Sequence, residues 1–454
     1  MAKEVTQKLT SGKPMSLIIG FSLPLLVGML FQQFYSLVDT IIVGKCLGVE
    51  ALAAVGSTGA INFLIIGFCM GVCSGFAIPV AQRFGAEDYD GLRKYVANSL
   101  WLSCILSIVM TIVVGVFCRQ ILELMQTPAN IIDQAYSYIF IIFLGIPVTY
   151  LYNMTSGIMR SLGDSKTPVY FLLLASGLNI ILDLLFMARL GMGVEGAGYA
   201  TVISQFVSGI CCLLFMKKRF TILHMSREDL KWSNHYASTL CRMGIPMGLQ
   251  YSITAIGSVI LQTSVNRLGS DAVASITAAN RINVFMACPF DALGSTMATF
   301  GGQNVGAMKM QRVKDGLKSA TFLGFCYSVL AVIILFFFSN YLLLLFLSPT
   351  EVAIIGNART FLLTQAFFYF PLAIVNIFRF MIQGMGFSSF AVIAGVMEMI
   401  ARTVIALTLV PSIGFRGACF ASPFAWILAD LFLIPAFFYV HNKLRRKFTS
   451  QCRL

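Results

Sequence analysis

Long apolar runs, each of about twenty residues or more, recur along the whole length of the chain. A helix needs about 20 such residues to cross a bilayer, because the hydrocarbon core is roughly 30 Å thick. A transmembrane β-barrel would instead alternate apolar and polar residues over strands of about 10 residues. With 58% hydrophobic and only 11% charged residues over 454 positions, a water-soluble domain is excluded. The sequence therefore predicts an all-α integral membrane protein.

The apolar runs predict twelve transmembrane helices joined by short loops. We place these helices at residues 16–42, 51–78, 95–117, 134–155, 168–188, 194–216, 238–263, 273–301, 319–338, 354–379, 389–410 and 417–440. Because the number is even, both termini are expected on the same side of the membrane. The first run is too long for a cleaved signal peptide, so we expect it to remain as the first helix.

Lysine and arginine residues are concentrated on one side of this predicted topology. The two tails and the loops on their side carry 22 of the 32 Lys and Arg residues. The opposite loops carry five, which are Lys45, Arg119, Arg189, Arg267 and Arg416. Since positive charge is retained in the cytoplasm, we expect a multi-pass plasma (inner) membrane protein with both termini cytoplasmic. The formal net charge of +13 then reflects topology, and no nucleic-acid partner is expected.

The two halves of the chain repeat one another at a shift of about 221 to 224 residues. Pro24 matches Pro246, Pro147 matches Pro371, Gly163 matches Gly386, Leu47-Gly48-x-x-Ala51 matches Leu268-Gly269-x-x-Ala272, and Gly196-Ala197 matches Gly417-Ala418. Each half contains six predicted spans, so the repeat is parallel. We expect two six-helix lobes, an N-lobe at 15–216 and a C-lobe at 237–440. A cytoplasmic linker, 217–236, joins the lobes, and the tails are 1–14 and 441–454.

A few polar side chains fall at similar depths inside the first predicted lobe. Asp39 lies late in the first helix, Asp183 lies in the fifth, and Asn179 is one turn before Asp183 on the same face. Thr201, on the sixth helix, has an overlapping depth. These oxygen-bearing groups suit Na⁺ or H⁺, and repulsion between the carboxylates would favour proton uptake. The spacing equally allows a structural role, in which each Asp pairs locally and holds helices together.

The second predicted lobe contains a different set of charges. Glu398 and Arg402 form an i, i+4 pair in the favourable order, and Arg281 is expected at a similar depth. We favour a self-neutralised packing network over a second ligand site. Asp291 and Asp430 also fall in helices, and the sequence shows no partner for either.

Several motifs together resemble one known transporter family. The first helix contains Pro24, then Gln33-Phe34-Tyr35-Ser36-Leu37-Val38-Asp39-Thr40, then Gly44-x-x-Leu47-Gly48-x-x-Ala51. Later in the chain come Arg160-Ser161-x-Gly163-Asp164, Asn179-x-x-x-Asp183 and Gly193-x-x-Gly196-Ala197-x-Tyr199-Ala200-Thr201. In combination, and over nearly the whole chain, these motifs resemble the multidrug and toxic compound extrusion (MATE) transporters.

This resemblance implies a V-shaped pair of six-helix lobes that exports organic, often cationic, compounds in exchange for Na⁺ or H⁺ by alternating access. It implies that Asp39, Asn179, Asp183 and Thr201 form the first lobe's cation site, which would take Na⁺ or H⁺. It also implies that helix one bends at Pro24 as the occupancy of that site changes. Some family members place an acidic coupling residue in helix seven, where this chain has Thr254. No cofactor beyond the coupling ion is implied, the lipid bilayer is the surrounding partner, and a monomer is the default state.

Two other functions fit part of the pattern. A related duplicated fold could flip a lipid-linked saccharide through a basic cavity, but the site in the first lobe is acidic. An intramembrane enzyme would need a Ser/His arrangement, a paired-Asp motif or a zinc-binding His set. The three His residues, which are His224, His235 and His441, fall in the predicted linker and tail. A transporter rather than an enzyme is therefore expected.

Overall fold

The computed structural model describes residues 6–451, without the side chains of Val49 and Gln451. All regular elements of these described residues are helices, as predicted for an all-α membrane protein. The first half contains α1 Pro14–Leu47, α2 Val49–Ser57, α3 Gly59–Gly85, α4 Tyr89–Leu124, α5 Ile132–Leu144, α6 Ile146–Ser161, α7 Thr167–Asp183 and α8 Gly193–Arg219. The second half contains α9 Asn234–Asn266, α10 Ser270–Gly306, α11 Met310–Leu343, α12 Val352–Phe367, α13 Tyr369–Gly384, α14 Ser388–Ile413 and α15 Phe415–Gln451.

Eleven segments of the described chain are long and apolar enough to cross a membrane. Seven are single helices, one (Glu50–Gly85) comprises α2 and α3, and one (Thr167–Arg189) comprises α7 and the helical turn after it. The other two are the pairs α5–α6 and α12–α13, which bend by 45° and 51°. The remaining predicted span, the eighth, corresponds to α10, which has 37 residues but is not among these apolar segments. Helix α10 is more polar because it carries Asp271, Arg281 and Asp291. The twelve predicted spans are therefore eleven apolar segments and one long polar helix.

Most helices extend beyond the predicted bounds. Helix α15 continues to Gln451, although a tail was predicted from residue 441. The span predicted at 354–379 is the bent pair α12–α13, which continues to Gly384 and places Arg379 inside a helix. Hydropathy marks only the part of a helix that contacts lipid, so it misses both polar extensions and bends.

The backbone confirms the internal repeat. Four glycines of the first half adopt positive φ, and all of them except Gly12 have a counterpart with a similar φ about 221 to 223 residues later. The pairs are Gly48 (87°) with Gly269 (100°), Gly163 (92°) with Gly386 (93°), and Gly191 (65°) with Gly414 (61°). Even the strained turn at Glu87, with φ of 59°, recurs at Met308, with φ of 56°. Left-handed backbone is uncommon outside glycine, so this coincidence shows that the two halves share one path.

The chain divides into two compact units that differ in part from the predicted lobes. Unit 1 contains Val27–Gly248 with the described residues before Leu9, and unit 2 contains Leu9–Leu26 with the described residues from Leu249 onward. The first part of α1 thus belongs to unit 2, and the first part of α9 belongs to unit 1. In each helix the division falls two residues after a proline, and these two prolines, Pro24 and Pro246, are repeat-related.

Within unit 1, glycines bring α3 and the first part of α9 into backbone contact. A Cβ atom at Gly75 would lie 2.5 Å from the Cα of Gly244, and one at Gly71 would lie 2.6 Å from the carbonyl oxygen of Met247. Gly71 and Gly75 are four residues apart, as are Gly244 and Gly248. This small-x-x-x-small spacing allows membrane helices to pack closely.

The linker between α8 and α9 is held against α4 within unit 1. Arg93 Nε lies 3.2 Å from Asp229 Oδ2, and Trp101 Nε1 donates to the Leu230 carbonyl at 3.0 Å. The backbone N–H and hydroxyl of Ser226 donate to the same Asp229 oxygen at 2.9 Å. These hydrogen bonds, with the Arg93 charge, hold the pKa of Asp229 below its ordinary value. The linker is therefore an ordered part of unit 1.

Candidate functional site

The four polar residues predicted to share a site all lie in unit 1. Helix α1 carries Asp39, α7 carries Asn179 and Asp183, and α8 carries Thr201. Asp183 is fully buried and Asn179 is 3% exposed, whereas Asp39 and Thr201 are half-buried. Asn179 and Asp183 are four positions apart on α7, so their side chains lie one turn apart on the same face of the helix.

The carboxyl groups of Asp39 and Asp183 lie within hydrogen-bonding reach of each other. Three of their oxygens, which are both of Asp183 and Oδ1 of Asp39, receive no hydrogen bond from any donor among the described residues. Two ionised carboxylates this close repel each other strongly in a low-dielectric interior. A buried carboxylate without a donor carries an additional desolvation cost. A proton shared by the pair, or a cation bound between them, would remove both costs.

The other two side chains supply further oxygen atoms. Asn179 Nδ2 donates to Thr201 Oγ1 at 3.5 Å, and Asn179 Oδ1 has no donor within the described chain. The group therefore offers carboxylate, amide and hydroxyl oxygens, which are the ligands that hard cations prefer. No group of three or more His, Cys, Asp or Glu residues that could hold a metal ion occurs in residues 6–451.

Two tyrosines that the sequence analysis did not assign to the site border the carboxyl pair. Tyr35 and Tyr138 are both close enough to Asp39 and Asp183 to interact electrostatically with them. Tyr35 is one turn before Asp39 on α1, so its i, i+4 spacing could have placed it there. Tyr138 comes from α5, and nothing in its local sequence marks it, because only the tertiary packing of α5 brings it to the pair.

Helix α7 changes its geometry directly after Asp183. Residues Leu184–Arg189 form a π-helix, whereas the repeat-related helix α14 remains an α-helix to Ile413. A π-helical turn is rare and is frequently found at functional sites. Its position next to Asp183, in one half only, distinguishes the first half from the second.

Pro24, the predicted hinge, lies in the uninterrupted helix α1. Its ring removes one backbone hydrogen-bond donor and crowds the preceding turn, so this is the point where α1 bends most easily. The division between unit 2 and unit 1 falls just beyond it, after Leu26. In the state that the structure describes, the helix is continuous on both sides of Pro24.

A second buried charge cluster lies in unit 2. Glu398 is hydrogen-bonded to Arg379, and its other oxygen lies 3.4 Å from Arg402 Nη2. The exposed fractions of these three residues are only 3%, 5% and 7%. Arg379 also lies within electrostatic range of Asp291 and Asp430. The structure thus brings Glu398 and Arg402 together and adds Arg379, which the sequence analysis missed because it placed that residue at the end of a span.

Arg281, which was expected in the same network, lies elsewhere in unit 2. It lines an open cavity of about 690 Å³ with the end of α9 and the turn after α11. The structure describes no ion pair between Arg281 and any residue in 6–451. Similar depth in two helices does not fix the direction in which a side chain points, and this explains the error.

Comparisons with known proteins place the chain among membrane transporters. The family model described as MatE matches residues 24–185 and 246–408, once in each half. The probable multidrug resistance protein YoeA of Bacillus subtilis is 31% identical over 360 residues, which cover 78% of each chain. The FAD transporter of Shewanella oneidensis is 27% identical over 80% of each chain.

Solved structures show the same fold. A structure described as the outward-facing conformation of a multidrug resistance MATE family transporter of the MOP superfamily superimposes with a TM-score of 0.90. The two sequences are 26% identical, and the match covers 96% of this chain and 98% of the other. A MATE crystal structure in complex with MaL6 gives a TM-score of 0.88 and covers 98% of this chain.

Proposed function

From the premise that the chain belongs to the MATE family of multidrug efflux transporters, we propose that it exports organic, often cationic, compounds in exchange for Na⁺ or H⁺. The observation that carries this proposal is the facing carboxyl pair of Asp39 and Asp183, in which both oxygens of Asp183 and Oδ1 of Asp39 have no donor among the described residues. Binding of a proton or a small cation by such a pair is favourable in free energy. The bound ion reduces the repulsion between the carboxylates and compensates the cost of their burial.

In the proposed mechanism, the coupling ion and the exported compound favour different conformations. The ion binds the oxygens of Asp39, Asn179, Asp183 and Thr201 and favours one conformation. Release of the ion favours the return to the other conformation. An ion shifts a conformational equilibrium only by its difference in affinity for the two states. The carboxyl pair supplies that difference if the two groups are close in one state and apart in the other.

Helix α1 connects this site to the conformational change in our proposal. Asp39 lies on the part of α1 that belongs to unit 1, whereas the part before Val27 belongs to unit 2. Pro24 lies at the junction and weakens the helix there. We therefore assign to Pro24 the hinge about which α1 bends when the site gains or loses its ion.

The decisive experiment is export by proteoliposomes with independently imposed Na⁺ and pH gradients. We expect Asp39→Asn and Asp183→Asn each to lower gradient-driven export of an organic cation at least tenfold, about 1.4 kcal/mol or more in driving force or barrier. Asn keeps the size of the side chain but cannot take up a proton or supply negative charge. The gradient that drives the wild-type protein identifies the coupling ion.

Asp133→Asn is the matched control for these variants. Asp133 is an acidic residue of the same half, but its side chain is 80% exposed and pairs with Arg119 on the surface. Its export should equal that of the wild type. Undiminished ion-driven export by Asp39→Asn and Asp183→Asn, with folded protein in the vesicles, would refute the assignment of the coupling site.

The substrate class is proposed from the relatives. The relatives described as multidrug resistance proteins favour drug export over the flipping of a lipid-linked saccharide. The relative described as an FAD transporter favours a second candidate, a large organic anion. Transport of a quaternary ammonium dye, of FAD and of a lipid-linked glycan in the same vesicles separates the three possibilities.

A further inference from the structure

Arg281 occupies an unusual position for a charged residue. It lies 11 residues into α10, or roughly 16 Å along the helix axis from Ser270. An arginine at such a depth in a membrane protein is costly unless a partner or a watery cavity compensates its charge. The structure describes neither an ion pair nor a hydrogen bond for this side chain within residues 6–451, and the side chain is exposed.

The cavity beside Arg281 is built by one face of α10. Val273, Ala274, Thr277, Ala278 and Arg281 follow one another at spacings of one, three, one and three residues, so they share a helix face. Three of these are small side chains, which leaves open space beside the arginine. The volume of about 690 Å³ is in the range of cavities that bind small organic ligands, roughly 300–1,000 Å³.

The lining is apolar apart from one charge and a few neutral polar groups. Phe346 and Leu347, from the turn after α11, and Val273 supply apolar surface, whereas Asn266 and Ser270 lie where α9 ends and α10 begins. Among the residues that line the cavity, Arg281 is the only charged one, and none is acidic. A ligand that fits this lining has an apolar body and a single anionic group.

We propose that this cavity of unit 2 binds an amphiphilic anion, whose carboxylate, sulfate or phosphate pairs with Arg281 and whose apolar body contacts Phe346 and Leu347. A guanidinium ion binds such oxyanions with two parallel hydrogen bonds. The site is independent of the cation site proposed in unit 1, because it uses different helices and the opposite charge. The anion comes either from a free amphiphile or from the headgroup of an anionic phospholipid.

Photo-crosslinking of the full chain in phosphatidylcholine nanodiscs tests this site directly. The probe is a dodecanoate that carries a diazirine on its chain, and mass spectrometry of the labelled peptides locates the crosslink. We expect labelling at the Phe346–Leu347 turn or in residues 266–281. Labelling should fall at least tenfold in Arg281→Gln and stay within threefold of the wild type in Arg281→Lys, which keeps the charge.

Arg267→Gln is the matched control, since Arg267 is a neighbouring cation that does not line the cavity. It should label like the wild type. A dodecylamine probe of the same length should not label the cavity. Equal labelling of Arg281→Gln and the wild type, or equal labelling by the amine, overturns the proposal. Comparable melting temperatures of all variants ensure that a lost signal reflects the site and not unfolding.

The source of the anion follows from a second arm of the same experiment. Nanodiscs that contain phosphatidylglycerol should protect the cavity from the dodecanoate probe if the occupant is a membrane lipid. If protection comes instead from added free dodecanoate and not from phosphatidylglycerol, the occupant is a free amphiphile. If neither protects the cavity from labelling, the labelling is unspecific and the proposal is wrong.

Discussion

Asp39 and Asp183 have no acidic counterparts in the second half of the chain. At the shift that aligns Gly48 with Gly269, Asp39 corresponds to Ile260. At the shift that aligns Gly191 with Gly414, Asp183 corresponds to Ala406. The two halves therefore share a backbone but not a charge pattern, and the carboxyl pair belongs to unit 1 alone.

At the scale of single residues, Glu398 gives a prediction for stability. It is the buried anion between Arg379 and Arg402, so Glu398→Gln leaves two buried cations without their partner. Removing one partner of a buried ion pair costs about 3–5 kcal/mol. We expect a clear fall in the thermal unfolding temperature of the detergent-purified protein. The surface variant Glu123→Gln, whose parent residue pairs with Arg119 and is 59% exposed, should leave it unchanged.

The double variant Glu398→Gln/Arg402→Gln separates charge from packing. If uncompensated positive charge causes the loss of stability in Glu398→Gln, the double variant should lose less stability than the sum of the losses of the two single variants. Additive losses would contradict the electrostatic explanation.

The sequence was sufficient to place Asp39, Asn179, Asp183 and Thr201 in one unit, because depth and helical spacing are local properties. It was not sufficient for Tyr138 or Arg379. Tyr138 reaches the carboxyl pair from a separate helix, and Arg379 lies beyond the bend that splits α12 from α13. Contacts of this kind depend on how helices pack, which hydropathy does not report.

At the scale of secondary-structure elements, the glycines of α3 and α9 determine how closely two helices approach. Gly75→Ala should destabilise the protein, because its Cβ would lie 2.5 Å from the Cα of Gly244. Overpacking of this kind typically costs about 1–3 kcal/mol. The matched control is Gly177→Ala on α7, where a Cβ would meet no atom of the described chain within 4 Å.

Thermal unfolding in detergent distinguishes the two glycine variants. We expect Gly75→Ala to unfold at a lower temperature than the wild type and Gly177→Ala to unfold at the same or a higher temperature. Equal behaviour of the two variants would mean that α3 and α9 can separate without loss of stability.

The linker is a second element whose structure makes a prediction. Asp229→Ala removes the acceptor that Ser226 and Arg93 share, so the linker should detach from α4. We expect trypsin to cleave at Arg227 several-fold faster than in the wild type. Glu228→Ala should have little effect, because Glu228 pairs only with the exposed Lys231 in the contacts described.

The protection of the linker should depend on pH in a defined direction. The pKa of Asp229 is lower in the folded protein than its ordinary value, so its contribution is complete at neutral pH. This contribution is lost only as the pH falls through the lowered pKa. Hydrogen exchange of the linker amides should therefore stay protected in mild acid, and protection lost between pH 6 and 8 would contradict this role of the carboxylate.

At the scale of the whole molecule, charge distribution along the chain predicts orientation. The tails and the loops on their side carry 22 Lys and Arg residues, so we propose that both termini are cytoplasmic. Alkaline phosphatase fused to the C-terminus should be inactive in cells, whereas a green fluorescent protein there should fluoresce. Phosphatase inserted after Arg267, in a loop of the opposite side, should be active. The reverse pattern of activities would contradict the cytoplasmic location of the termini.

The repeat was predictable in full from the sequence, since matched glycines and prolines recur in order. The compact units were not predictable, because each combines segments that are distant in the sequence. A hydropathy profile reports only which consecutive residues are apolar. Nothing in it shows that α1 and α9 each pass from one unit to the other just after Pro24 and Pro246.

This passage of α1 and α9 between units has a consequence for the ancestry of the fold. An ancestor made of two separate six-span chains would have had the start of each chain's first helix inside the other chain's compact unit, as in a domain-swapped dimer. Neither ancestral chain alone would have contained a complete unit. Fusion of two such genes would have made an obligatory exchange between subunits into a property of one polypeptide, and would have allowed the halves to acquire different charges.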